Sequence, residues 1–261
     1  MKKYIILVFL ITVFSCKKEV KDNGKLQVVT TTTMITDLVK NIGGDKIDIQ
    51  GLMGAGVDPH LYKASEGDVS TLFNADVIVY NGLHLEGKLE DVFEKMRQQN
   101  KQTIAVSDAI DKATLTGSEY FASNYDPHIW FSITNWEIIT QYIVDKLCEL
   151  DAENTTTYKT NGANYLKTLA SLKTTITEQV NSLPVEKRIL VTAHDAFNYF
   201  GKEFQFNVVG LQGLSTATEA GVQDVRRLAS FIEEKNVKAI FVESSVPKRT
   251  VEALQEAVRA K

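Results

Sequence analysis

The first half of the chain alternates short apolar runs with stretches of helical periodicity. The apolar runs, rich in Val, Ile and Thr, predict strands at residues 26–31, 47–52, 77–80 and 103–106. Between them, apolar residues recur at spacings of three and four and predict helices at 34–42, 65–73 and 85–97. Strands that alternate with helices are typical of parallel sheets, so this half predicts one α/β lobe.

A long amphipathic segment follows this lobe. Residues 134–150 have a helical pattern, and residues 151–182 continue it with apolar positions at spacings of three, four and seven until Pro184. A helix of this length spans roughly 40 Å at about 1.5 Å per residue. That length favours a helix that bridges two lobes, the alternative being a peripheral helix packed on a single domain.

The remaining residues repeat the strand–helix alternation, with strands expected at 189–193, 206–211 and 239–243. Helices are expected at 196–203, 222–235 and 250–260. We therefore predict an α/β fold with an N-terminal lobe at 26–150, one long rigid linking helix at 151–183 and a C-terminal lobe at 184–261. The second lobe has only three predicted strands, and we expect it to be incomplete.

The N-terminus has the pattern of a bacterial lipoprotein signal. Lys2 and Lys3 precede an apolar run at 4–14 that is too short to span a bilayer, and Ser15 stands directly before Cys16. This arrangement resembles a lipobox, in which residues 1–15 are removed and Cys16 is lipidated; the alternative is an ordinary secretory signal. Residues 16–25 then suit a lipidated tether, and the protein is expected outside the cytoplasm, anchored to a membrane.

Charge and cysteine content narrow the function classes. The chain has 29 basic and 33 acidic residues, a net charge of −4, which argues mildly against nucleic acid as a partner. The second of its two cysteines, Cys148, lies at an apolar helical position and is interpreted as a small buried hydrophobe. With Cys16 lipidated, no disulfide within the chain is expected.

The tripeptide Asp-Pro-His occurs twice, at 58–60 and 126–128, and each copy is followed by an aliphatic and an aromatic residue. Proline fixes its own φ and restricts the residue before it, so each loop holds its imidazole, His60 or His128, on a stiff backbone. A third imidazole, His194, follows a predicted strand. Three histidines of this kind predict a transition-metal site. His84 is expected to pack near a loop rather than to bind the metal.

All three histidines follow predicted strands, and they come from both lobes. Because ligands bind outside the carboxyl ends of strands in open α/β sheets, we expect the metal in the cleft between the lobes. Four acidic residues near these strand ends are candidates to hydrogen-bond the ligands or their loops. These candidates are Asp58, Asp126, Glu219 and Glu243.

Several segments together resemble the metal-specific solute-binding lipoproteins of bacterial manganese and zinc ABC importers. In chain order these segments are Asp58-Pro59-His60, Asp126-Pro127-His128-Ile129-Trp130, Ala193-His194-Asp195-Ala196-Phe197, Gly210-Leu211-Gln212-Gly213-Leu214-Ser215-Thr216 and Phe241-Val242-Glu243-Ser244-Ser245. The resemblance implies that His60, His128 and His194 bind one Mn²⁺ or Zn²⁺ per chain as cargo. It also implies a monomer that delivers the ion to a permease and its ATPase.

The resemblance also implies a fourth ligand, an aspartate, which we expect beyond residue 261. Three imidazoles favour zinc, and an added carboxylate makes manganese reasonable. The His-rich acidic loop of dedicated zinc receptors is absent from the sequence, which favours manganese or use of both metals.

Two other functions compete with metal capture. Three histidines with one open position are also a catalytic zinc pattern, but the chain has no His-Glu-x-x-His motif, so we expect no enzyme. A surface adhesin is the other alternative, since some members of the family resembled have been described that way. No repeat in the sequence supports it.

Overall fold

A computed structural model describes residues 24–119, 121–246 and 248–259. The predicted signal peptide and Cys16 lie outside these residues. The N-terminal sheet has four parallel strands in the order β2-β1-β3-β4, confirming the predicted strands to within one residue at each end. These strands are β1 (Leu26–Thr30), β2 (Ile47–Gly51), β3 (Val77–Tyr80) and β4 (Gln102–Ala105).

Three helices connect these strands: α1 (Thr33–Gly43), α2 (Glu66–Asn74) and α3 (Glu90–Gln98). The prediction that the third helix begins at residue 85 is wrong. Leu83 and His84 have φ of 51° and 62°, outside the helical region. The Glu86 carboxylate accepts hydrogen bonds from the backbone N–H groups of Asn81 and Gly82, so residues 83–89 form turns instead.

Two long helices follow, α4 (Ile133–Leu150) and α5 (Thr155–Asn181). Helix α5 packs so closely on α4 that a Cβ placed at Gly162 would lie 2.3 Å from a methyl carbon of Val144. Near its other end, Val180 shares one hydrophobic core with Tyr199 and Phe204, which follow the helix in sequence. The helix therefore packs along the first lobe and also reaches the second, which confirms the predicted bridging helix.

The C-terminal sheet has three parallel strands in the order β6-β5-β7. They are β5 (Ile189–His194), β6 (Asn207–Gln212) and β7 (Ile240–Phe241), with helices α6 (Asn198–Phe204), α7 (Val222–Glu234) and α8 (Lys248–Arg259). Strand β7 is shorter than the five residues predicted for it. It is an edge strand, and Phe241 is largely exposed, so little packing holds more of it in extended pairing.

The two sheets confirm the predicted fold class, two parallel α/β lobes with a long helix between them. Both sheets bury apolar side chains against their helices, including Leu38 and Ile42 of α1 in the first lobe and Leu228 and Leu254 in the second. In the described part of the chain, no helix is long and apolar enough to cross a membrane. The exact lobe boundaries predicted from the sequence stay a prediction.

Candidate metal centre

The structure brings His60, His128 and His194 together. His60 lies in the loop after β2, His128 directly before a short 3-10 turn that leads into α4, and His194 is the last residue of β5. The Nε2 atom of His128 lies 3.2 Å from that of His60 and 3.3 Å from that of His194. Nitrogens bound at about 2 Å to one tetrahedral ion would be separated by roughly this distance.

The three imidazoles are buried, and burial keeps two of them, His60 and His128, able to bind a cation. Burial above all, and then the other histidines, lowers the pKa of His60 from 6.5 to about 3. Burial also lowers the pKa of His128, although Asp126 opposes that shift. A neutral imidazole has a nitrogen lone pair for a metal, whereas a protonated one has none.

Asp126 orients His128. Its Oδ1 accepts hydrogen bonds from the backbone N–H of His128 at 2.9 Å and from the ring Nδ1–H at 2.7 Å. Because Nδ1 then carries the proton, Nε2 presents its lone pair toward the other histidines. The Asp126 side chain is wholly buried, and Asn198 donates a hydrogen bond to its Oδ2 at 3.0 Å.

Glu243 lies beside the ring of His194, as Asp126 lies beside that of His128, but without the geometry of a hydrogen bond. Its Oε1 is 2.7 Å from Nδ1 of His194, which is within ion-pair distance. The angles at this contact are not those of a hydrogen bond, so Nδ1 of His194 and both oxygens of Glu243 are buried without a hydrogen-bond partner. A small rotation of the carboxylate at this short distance would align the bond.

Asp58 holds the loop of His60 rather than its ring. Its Oδ1 accepts a hydrogen bond from the backbone N–H of His60 at 2.9 Å. Its Oδ2 accepts one from the hydroxyl of Thr216, which lies in the loop after β6. The structure does not bring Glu219 to the histidines: this exposed residue lines a separate cavity, which Asp195 also lines.

The histidines line a cavity of about 290 Å³ between the lobes. Its walls include the aromatic rings of Trp130 and Phe131, and Glu243 and Thr216 are among its polar groups. Three imidazole nitrogens in a buried, partly apolar site can replace the water around a cation and leave one position of a tetrahedral ion open.

Two residues that the sequence placed outside the metal site also lie outside it in the structure. His84 is partly exposed, and its Nδ1 lies 2.6 Å from Oε1 of Glu90. It is not part of the histidine cluster, which is the one group of potential metal ligands found among the described residues. Cys148 is a free thiol in α4, partly buried against the core.

Sequence reasoning missed the residues of the second lobe that contact the Asp-Pro-His loops. Asn198 and Tyr199 of α6 donate hydrogen bonds to the side chain and the carbonyl of Asp126, and Thr216 donates to Asp58. These partners lie 72, 73 and 158 residues away in the chain. Thr216 lies in a segment that carries the family resemblance, but nothing in the segment indicated its partner.

Comparison with known proteins gives a consistent result. Residues 28–261 match the family described as "ZnuA: Zinc-uptake complex component A periplasmic". The chain is 45% identical over 244 residues to "Zinc-binding protein TroA" of Treponema pallidum, covering 94% of this chain and 78% of that protein. It is 44% identical over 237 residues to "Manganese-binding lipoprotein MntA" of Bacillus subtilis, covering 91% and 77%.

Solved structures agree. The structure of the periplasmic zinc binding protein TroA from Treponema pallidum superposes with a TM-score of 0.87 at 46% identity, covering 91% of this chain and 84% of that one. A manganese-bound mutant form of a periplasmic metal binding protein from Candidatus Liberibacter asiaticus superposes with a TM-score of 0.80 at 27% identity, covering 91% and 87%.

Proposed function

Because the chain belongs to the zinc-uptake complex component A family, we propose that it captures Mn²⁺ or Zn²⁺ outside the cytoplasm and delivers the ion to an ABC transporter. The observation that carries this proposal is the set of three buried Nε2 atoms, separated by distances that suit one ion. His60, His128 and His194 are the proposed ligands. The relatives named above are metal-binding proteins, and one is a lipoprotein.

Membership of this family also supports proposals for the stoichiometry, the partners and the membrane anchor. One ion binds per chain, and the protein acts as a monomer that docks on a permease served by an ATPase. A lipid on Cys16 holds it at the membrane. The cleft performs no chemistry on its cargo, since the ion leaves unchanged. Asp126, Glu243 and Asp58 hold the ligands in place, and the lobes at 26–150 and 184–261 close on the ion.

The choice of metal depends on the donor set. Three imidazole nitrogens suit Zn²⁺, whereas Mn²⁺ prefers carboxylate oxygens. Relatives at nearly equal identity are named for zinc and for manganese. We therefore propose that the protein binds both ions and that the three histidines give Zn²⁺ the higher affinity.

The test is equilibrium dialysis of the purified protein against Zn²⁺ and Mn²⁺, followed by elemental analysis. The unsubstituted protein should retain one ion per chain. His60→Ala and His194→Ala should each lose high-affinity retention, because each removes one of three ligands. His84→Ala is the matched control, since this histidine is paired with Glu90 away from the cluster, and it should retain the ion.

Circular dichroism and a urea titration would show that each variant is folded. Stoichiometric retention by folded His60→Ala and His194→Ala proteins would refute the ligand assignment. Failure of the unsubstituted, folded protein to retain either ion would refute the proposed function itself.

A further inference from the structure

The two Asp-Pro-His loops share one local turn. In each, the aspartate Oδ1 accepts a hydrogen bond from the backbone N–H of the histidine two residues later, at 2.9 Å for both His60 and His128. This turn fixes the loop from within, and it leaves Oδ2 of each aspartate free to bond elsewhere. The loops differ in how that second oxygen and its surroundings connect to the second lobe.

The His128 loop is tied to the second lobe by several bonds from one helix, α6. Asn198 donates to Oδ2 of Asp126 at 3.0 Å, and the Tyr199 hydroxyl donates to the Asp126 carbonyl at 2.9 Å. A few residues on, Glu203 accepts a hydrogen bond from the Ser132 hydroxyl at 2.6 Å. Breaking one of these bonds leaves the others in place, so His128 stays with the second lobe.

The His60 loop has a single such bond. The hydroxyl of Thr216 donates to Oδ2 of Asp58 at 2.5 Å, and both residues line the cavity of the histidines. Within the described part of the chain, no other hydrogen bond joins residues 52–64 to residues after 184. We call this contact the cleft bond. The same carboxylate that receives it also fixes the backbone of His60.

Moving one histidine away from the other two would break part of the coordination that holds a bound ion. His128 and the second lobe are held together by α6, so the His60 loop is the part that the fewest bonds restrain. A hydroxyl that donates to a carboxylate makes a hydrogen bond roughly twice as strong as one between neutral groups. The cleft bond therefore resists the motion that would release the ion.

We propose that Thr216 is a positioning residue that sets how long the ion stays bound, by holding the His60 loop against the second lobe through Asp58. The proposal rests on the proposed function, because it requires the histidines to bind a metal. Thr216 is not one of the ligands, and its loss should leave the three histidines and their stoichiometry unchanged. Its loss should change the rate at which the ion is released.

Stopped-flow release of Zn²⁺ into excess chromophoric chelator tests this. Thr216→Val keeps the shape of the side chain but removes the donor, and release should be about tenfold faster, as expected for one charge-assisted hydrogen bond. Thr216→Ala should behave in the same way. Thr216→Ser keeps the hydroxyl and should restore the original rate. The Zn²⁺ association rate should change little in any of them.

Thr218→Val is the matched control, because Thr218 is an exposed hydroxyl in the same loop and makes no hydrogen bond in the described structure. It should release Zn²⁺ at the original rate. Release from Thr216→Val at the original rate, with one Zn²⁺ bound, would overturn the role of Thr216 alone. Equal acceleration in Thr218→Val would also overturn it. A lack of Zn²⁺ binding by the unsubstituted protein would instead refute the proposed function, and the role of Thr216 with it.

Discussion

Replacing Asp126 with asparagine removes a negative charge from a wholly buried side chain that orients a proposed ligand. One oxygen of Asp126 accepts two hydrogen bonds from His128, and the other accepts one from Asn198. An asparagine has one acceptor oxygen, and its NH₂ group would have to face either the ring N–H of His128 or the amide of Asn198. If the NH₂ group faces His128, a donor meets a donor; if it faces Asn198, that amide has to flip, and the neutral oxygen left for His128 accepts a weaker hydrogen bond than the carboxylate does.

The loss of metal affinity that Asp126→Asn should cause can be placed between two limits. Loss of a group that orients a ligating histidine weakens metal binding about 10–100-fold. At roughly 1.4 kcal/mol per factor of ten, this is about 1.4–2.8 kcal/mol of binding free energy. The physical reason is that the proton on Nδ1 of His128 is held less firmly, so the Nε2 lone pair is less fully committed to the metal.

The assay is a competition titration of Zn²⁺ between the protein and a chromophoric chelator of known affinity. Asp91→Asn is the control, because it makes the same chemical change at an exposed position in the first turn of α3. Asp126→Asn should bind Zn²⁺ about 10–100-fold more weakly than the control. Equal affinity in the two folded variants would refute the conclusion that Asp126 orients His128.

Three further predictions concern stability and packing. Because the pKa of His60 falls from 6.5 to about 3 on folding, the metal-free unfolded chain binds more protons between these values. The free energy of unfolding should therefore be highest above pH 6.5 and fall as the pH is lowered toward 3. Urea titrations of the metal-free protein across this range would measure this fall. An unfolding free energy that does not change with pH would contradict the prediction. Glu203→Gln removes a charge that accepts hydrogen bonds from the start of α4 and forms an ion pair with Lys173 of α5. It should cost about 1–3 kcal/mol of unfolding free energy, measured by the same titration. Gly210→Ala would place a Cβ 2.6 Å from the backbone nitrogen of Asp195 and should lower both stability and Zn²⁺ affinity, whereas Gly213→Ala meets no atom within 4 Å and should change neither. Equal effects of the two glycine substitutions would show that this close approach is unimportant.

Most strands and helices were predictable because their causes are local. The buried parallel strands of the first lobe are short runs of Val, Ile and Thr, and their positions were confirmed to within one residue. The start of α3 was not predictable in this way. Its delay to Glu90 depends on a carboxylate, Glu86, that is buried where β1 and β3 end and hydrogen-bonds across to Thr31, a residue 55 positions earlier.

The residues of the candidate site likewise fall into those that the sequence identified and those that only the structure places. The repeated Asp-Pro-His motif and a histidine at a strand end were enough to name His60, His128 and His194, because proline stiffness and strand polarity are properties of short segments. From sequence alone, Glu219 and Glu243 were equally good candidates. Only the tertiary structure places Glu243 against His194 and leaves Glu219 in another cavity.

The contacts across the cleft were decided entirely by tertiary structure. Thr216 and Asp58 are 158 residues apart, and neither residue type nor spacing indicates that they meet. They do so because two separate sheets present their carboxyl ends to one another, with α5 and the shared core fixing the distance between them. The sequence by itself determined which residues can bind a metal, and the packing of the two lobes determined which residues hold them in place.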